Sequence, residues 1–250
     1  MNKFIISLIT IILFISCKKA PLETVRIEAE NIPVTNEIIS ESAIDSFLKP
    51  YKAHIEKEMN TILSYTPVNL TRTDGNLESS LGNLMADLSY ELANPIFKKR
   101  TGNTIDFVLF NYGGIRAGID KGNITNAHAF KLMPFENTFV VVELSREKLE
   151  ELISFLIDKK LAHPLSRQVQ LTVLKNGFDL KINNIDYKKK DSYFILTSDY
   201  LQNGGDDMTF FKNPLTLHKL NYKVRNAIID YFKKTDTIKV ALDGRFKLES

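Results

Sequence analysis

The sequence predicts an α+β fold: a single mixed-sheet domain, preceded by a helix and a flexible tether. Two observations carry that expectation. Apolar residues recur at helical spacing in several segments, and between these lie short apolar runs, some in hairpin-like pairs, that read as strands. Helices mixed with paired strands argue against a doubly wound parallel sheet. The 250 residues are 44% hydrophobic and 25% charged, which suits one globular domain, or at most two small ones, with a real core. A net charge of +3, evenly spread, excludes a typical nucleic-acid binder or polybasic membrane patch. One Cys excludes an intramolecular disulfide, and four dispersed histidines (His54, His128, His163, His218) argue against a self-contained metal centre.

At the N-terminus, residues 4–15 are apolar apart from Ser7 and Thr10. The run is too short to span a bilayer and suits a signal-peptide core. It ends in Leu13-Phe14-Ile15-Ser16-Cys17, which resembles a bacterial lipobox with the chain's one thiol at the cleavage point. The expectation is a signal peptide over 1–16 and acylation of Cys17. The product would then be exported and lipid-anchored in the cell envelope. An ordinary signal peptide with an incidental Cys, or a short anchor, is the alternative. Residues 17–40, with Pro21 and Pro33 and no sustained period, read as the tether, with one short strand around 24–29.

The domain is expected over 41–250. Ile44, Leu48, Tyr51, Ile55, Met59 and Ile62 recur at steps of three and four, so a first helix forms there. Pro50 either kinks it or marks a start later than Glu41. Leu81, Leu84, Met85, Leu88 and Leu92 give a helix over 78–93. Residues 104–110 and 138–144 read as apolar strands. Ser145 can cap a helix with the stripe Leu149, Leu152, Ile153, Leu156. Strands follow at 169–174, 178–182 and 193–198, and a last helix at 221–233.

Chemistry-bearing residues gather at the strand ends, in three loops. These are Asn111-Tyr112-Gly113-Gly114-Ile115-Arg116, Met133-Pro134-Phe135-Glu136-Asn137, and Asp199-Tyr200-Leu201-Gln202-Asn203-Gly204-Gly205-Asp206. Singly, each has a bland reading. Gly-Gly is most often a tight turn, a loop Phe a core plug, a lone Arg a solvated side chain.

Jointly they resemble the C-terminal domain of the 5'-nucleotidases, a family that includes UDP-sugar hydrolases and 2',3'-cyclic phosphodiesterases. Residues 81–87 match its Leu-Gly-Asn-Leu-x-Ala-Asp helix start, and 111–116 match Asn-Gly-Gly-Gly-Ile-Arg with Tyr112 for a Gly. Residues 132–137 match Leu-Pro-Phe-Gly-Asn loosely, with Met133 added and Glu136 for the Gly. Residues 200–206 match the aromatic-then-Gly-Gly-Asp loop, and Asp243-Gly244-Arg245 also fits. The resemblance implies a substrate-recognition domain. Phe135 and Tyr200 would sandwich a nucleobase, Asn137 would face its edge, and Asp206 would accept from the ribose hydroxyls. Arg116 would hold phosphate with its donor fork, Gly113-Gly114 would bring backbone N–H groups close, and Asn111 would add a further contact.

The departures also count. The family's further phosphate arginines, just before the Leu-Gly-Asn helix, have Arg72 as their nearest and out-of-register counterpart. Glu136 puts an acid beside the base clamp, and Asp207 replaces the usual Gly. The full-length enzymes carry a dinuclear metallophosphoesterase domain with Asp-x-His, Gly-Asp and Gly-Asn-His ligand motifs. Here no Asp-x-His occurs, and none of the four Gly-Asn pairs (at Gly75, Gly82, Gly102, Gly122) precedes a His. No catalytic residue, metal ligand or cofactor is therefore expected in this chain. Divalent metals would belong to a separate metallophosphoesterase subunit, and this chain would bind the nucleotide or nucleoside. A stand-alone nucleoside-binding lipoprotein, and a degenerate structural domain, are the alternatives.

Overall fold

The computed structural model describes residues 24, 26–35 and 38–249. Cys17 and its apolar leader lie outside the described residues. The chain divides into two units, Met1–Leu48 and Lys49–Ser250. In the first, the described residues around 24–29 form no strand, contrary to the sequence expectation. No ladder partner for them exists among the described residues. Helix α1 (Ser42–Met59) begins after Glu41, runs through Pro50 and buries none of its residues. Ile62, which continued its apolar period, instead opens strand β1 (Ile62–Thr66).

Helix α2 (Ser80–Thr101) is capped by Ser79, whose side chain accepts from Gly82 N–H, and is closed by Gly102 at φ 80°. It outlasts the expected end at Ala93 and continues through Pro95. Ala93 and Phe97 extend the buried stripe of Leu81, Leu84, Met85 and Leu88. Burying a phenyl ring fully contributes about 1.5–3 kcal/mol, comparable to the cost of an interior proline. The Leu-Gly-Asn motif on this helix is occupied structurally. Asn83 donates to Glu78 (2.8 Å) and to Ala241 C=O (3.0 Å). Asp87 accepts from both terminal nitrogens of Arg245 at 3.0 and 3.1 Å. Asp243 holds the other side of that guanidinium, whose side chain is 4% exposed.

The remaining strands lie in two four-stranded sheets and one pair. The pair is β1 with β3 (Gly122–Thr125), antiparallel. The central sheet has the order β2-β8-β4-β9: β2 (Phe107–Val108), β8 (Ser192–Ser198), β4 (Thr138–Ser145) and β9 (Thr216–Lys223). β2 runs parallel to β8, and β4 is antiparallel to both β8 and β9. The expected strand over 104–110 has only two residues in regular ladder. Asp106 N–H and Leu109 N–H carry the bonding on, to Phe194 and Leu196 carbonyls. The second sheet, β10-β5-β6-β7, joins β5 (Val169–Leu174), β6 (Gly177–Ile182), β7 (Ile185–Asp186) and β10 (Phe246–Leu248).

Short helix α3 (Asn126–Leu132) follows β3, and helix α4 (Arg146–Lys159) follows β4, capped by Ser145 as the sequence indicates. Helix α6 (Val224–Lys234) starts three residues later than expected, because 221–223 complete β9. β9 escaped the sequence reading because it is an edge strand whose side chains are mostly exposed or half-exposed. No helix among the described residues is long and apolar enough to cross a membrane.

This topology places the loops. β2 and β8 are parallel, so their C-terminal ends coincide, and the start of antiparallel β4 falls at the same edge. The segments after β2, before β4 and after β8 therefore emerge together.

Candidate functional site

The loop after β2 carries Asn111, Gly113, Gly114 and Arg116 around a tight turn, Tyr112–Gly114. Gly114 N–H donates to Asn111 C=O at 3.1 Å, so it is engaged within the turn rather than free for a ligand. The glycine serves a different need: a Cβ at 114 would stand 2.7 Å from Asn111 Oδ1. Two side chains, Arg72 and His163, brace this loop. Arg72 stacks its guanidinium 4.5 Å from the Tyr112 ring centroid and donates to Ile115 C=O at 2.8 Å. His163 accepts Tyr112 N–H on Nδ1 at 3.1 Å. Burial pushes the His163 imidazole down to about 4, so it is neutral and able to accept at ordinary pH. Its Nε2 finds no partner among the described residues.

The loop before β4 presents Phe135, 39% exposed, and Asn137. Its anchor is Arg225 in the first turn of α6, 8% exposed, which donates to Phe135 C=O at 3.2 Å. Arg225 also pairs with Glu136 and lies 4.4 Å from the Phe130 ring centroid. Hydrogen bonds from Lys223 and Arg225 hold the Glu136 carboxyl down at about 2. The acid that intruded on the aromatic site in the sequence is thus neutralised by two cations on neighbouring elements.

Tyr200 is the second residue of helix α5 (Asp199–Gln202), which Ser198 caps. The chain then turns through Gly204 at φ 90° into Asp206 at φ 50°, a left-handed conformation that a short polar residue tolerates. Asp206 accepts from Tyr200 Oη (2.8 Å) on one oxygen and from Asn111 Nδ2 (2.6 Å) on the other. The first of these bonds also raises the Tyr200 phenol above its usual range. Gly205 lies against the Tyr200 ring, where a Cβ would come within 2.4 Å of two ring carbons. The ring, 45% exposed, is therefore fixed at its tip and along its edge.

All eight residues singled out in the sequence (Asn111, Gly113, Gly114, Arg116, Phe135, Asn137, Tyr200, Asp206) line one cavity of about 240 Å³. The Arg116 guanidinium sits 5.9 Å from the Phe135 ring centroid. Two accessible rings, an amide, a carboxylate and a guanidinium thus share one opening. They offer stacking, edge hydrogen bonding, acceptance from vicinal hydroxyls and a donor fork for an anion. The supporting residues Arg72, His163, Arg225 and Gly205 were not singled out for these roles by the sequence. Arg72, His163 and Arg225 act on loops tens of residues away, which no local pattern signals, whereas Gly205 lies within the aromatic-then-Gly-Gly-Asp loop itself.

Donors for a metal do not gather. Among the described residues no group of three His, Cys, Asp or Glu is placed to hold an ion. His163 is bonded to Tyr112, His128 Nδ1 accepts from Thr125 N–H at 2.9 Å, and His218 packs on Phe97 and Phe194.

Residues 55–213 match the family model for the 5'-nucleotidase C-terminal domain. The apyrase of Tabanus yao is 24% identical over 243 residues, covering 87% of this chain and 42% of the relative. The trifunctional nucleotide phosphoesterase YfkN of Bacillus subtilis is 26% identical over 92% of this chain and 17% of its own length. Human 5'-nucleotidase is 25% identical over 80% of this chain and 40% of its own. The chain thus spans less than half the length of these relatives. In fold it is similar to the 5'-nucleotidase precursor of Thermus thermophilus. That match has a TM-score of 0.68 at 21% identity, over 83% of this chain and 42% of that one.

Proposed function

The chain belongs to the 5'-nucleotidase C-terminal domain family, and on that premise we propose that it is the nucleotide- and nucleoside-recognition half of a split phosphohydrolase. A separate metallophosphoesterase subunit supplies the divalent metals and the hydrolysis. In this reading Phe135 and Tyr200 stack on the two faces of the base, each contact contributing about 1–3 kcal/mol. Asn137 meets the base edge, Asp206 accepts from the ribose hydroxyls, and Arg116 holds the phosphate. The Tyr200–Asp206–Asn111 bonds fix the carboxylate before ligand arrives, which lowers the ordering cost of binding. The observation that carries the reading is the convergence of the eight residues, from three separate loops, on one cavity.

One feature favours a second reading, capture of nucleosides without a catalytic partner. Arg72 is turned into the backbone of its neighbouring loop, which leaves Arg116 as the phosphate donor fork among the cavity residues. Adenosine and AMP binding by the purified chain, with phosphate release assayed alone and with a neighbouring metallophosphoesterase gene product, separates the two. Release only in the presence of both chains supports the split enzyme. Tight adenosine binding with no gain from any partner supports the nucleoside-binding lipoprotein. Metal-dependent hydrolysis of AMP by the clean chain alone overturns both.

The proposal extends to location. Cleavage after Ser16 and acylation of Cys17 anchor the domain to the envelope membrane on its exported side. The lipobox-like run supports this, and intact-mass measurement of membrane-extracted protein tests it. A mature form that retains Met1 would refute it.

A further inference from the structure

The β4–β8 ladder ends at the pair Phe139↔Ser198. Just beyond it the two strands part toward the two aromatic loops, and there the Asp199 side chain takes over from the backbone. Its Oδ1 accepts Thr138 N–H at 3.1 Å and Tyr200 N–H at 2.9 Å, while Oδ2 accepts the Thr138 hydroxyl at 2.8 Å. A single carboxylate oxygen thus joins the backbone that carries Asn137 to the backbone that carries Tyr200. The Asn137–Thr138 peptide is held at its other end as well, where Asn137 C=O accepts Val224 N–H at 2.9 Å. Both polar ends of that peptide plane are therefore fixed, one by β8's extension and one by the start of α6.

We propose that Asp199 is a positioning residue for the ligand site, setting the separation between Asn137 and Tyr200 and so the width of the slot between the base edge contact and the stacking ring. The proposal rests on reading the cavity as a nucleoside site. Without the Oδ1 bridge, the start of β4 keeps only its bonds toward β9 and α6, and Asn137 swings with that side alone. Sites of this kind lose affinity when a contact moves by about half an ångström. An Asn at 199 retains an Oδ1 acceptor for both N–H groups. Its amide then donates to the Thr138 hydroxyl, which turns to accept.

The test is calorimetric titration of adenosine into the full chain and its variants, with thermal melts alongside. Asp199→Ala is expected to weaken adenosine roughly five- to tenfold, whereas Asp199→Asn stays within about twofold of the parent. Because Asp199 acts through Asn137, Asp199→Ala on an Asn137→Ala background is expected to cost little more than Asn137→Ala alone. Three results overturn the proposal: parental affinity in Asp199→Ala, equal losses in the Ala and Asn variants, or strictly additive losses with Asn137→Ala. If Asp199→Ala does not fold, Asp199→Glu takes its place, since it keeps a carboxylate but displaces by a methylene the oxygen that bridges the two N–H groups. A smaller loss in the same direction supports the proposal, and unchanged affinity overturns it. Failure of the parent chain itself to bind adenosine overturns the nucleoside reading of the cavity, a result distinct from any of these.

Discussion

Phe135 and Phe139 stand four residues apart, and replacing each by Ala separates a cavity-lining ring from a core ring. Phe139 is 0% exposed and packs 6.0 Å from Phe110 and 5.7 Å from Tyr222, centroid to centroid. Its loss leaves a cavity, and about 3–5 kcal/mol is the usual cost. Phe135 is 39% exposed, so only some three-fifths of its ring is withdrawn from water. Scaling the roughly 1.5–3 kcal/mol of a fully buried Phe accordingly leaves about 1–2 kcal/mol. The loop backbone stays anchored, because Arg225 holds Phe135 C=O and not its ring. For a domain of this size the melting temperature is expected to fall by about 2–8 °C for Phe135→Ala and about 6–20 °C for Phe139→Ala. Adenosine affinity of Phe135→Ala, measured by calorimetric titration, is expected to fall roughly 5- to 150-fold. A Phe135→Ala protein that melts as early as Phe139→Ala and binds adenosine unchanged would show that Phe135 is a packing residue, and the stacking argument would be wrong.

Three further outcomes follow from the same geometry. Asp206→Asn places an amide opposite two donors, Tyr200 Oη and Asn111 Nδ2, and competitive titration is expected to find most of the preference for adenosine over 2'-deoxyadenosine gone; an unchanged preference would detach Asp206 from the ribose. His163, neutral in the fold down to about 4 but ordinarily titrating near 6.5, contributes stability that is fully present above pH 6.5 and is lost as the pH falls toward 4. That loss is at most about 3 kcal/mol, and His163→Asn, which keeps an acceptor and does not titrate, is expected to flatten the melting curve's pH dependence in this window; parallel curves would refute it. Arg245→Met is expected to cost about 3 kcal/mol in urea unfolding, since Asp87 keeps only Arg167 as its cation, and Asp87→Asn on that background should restore part of it; no loss would mean the buried pair is neutral.

Much of this protein is decided by local pattern. β5 lies where its apolar run lies, and β4 and β8 differ from theirs by one residue, because each fills a buried central or hairpin position with a continuous signal. Ser145 caps α4 by chemistry confined to one turn. The three loops and their projecting side chains are likewise visible as residue types after regular elements. Other features are settled only by partners distant in the chain. β9 and β10 are strands because β4 and β5 offer them a ladder, not because their own alternation is strong. α2 passes Pro95 because Phe97 finds a core to enter. Glu136 looks like an unpaired acid until Lys223 and Arg225 fold beside it, and Asp199 acquires its bridge only once β4 and β8 are in register. The meeting of residues 111–116, 133–137 and 200–206 has the same origin. Periodicity is a property of one segment, whereas the direction and register of neighbouring strands determine which segment ends share an edge, and that edge is where the cavity forms.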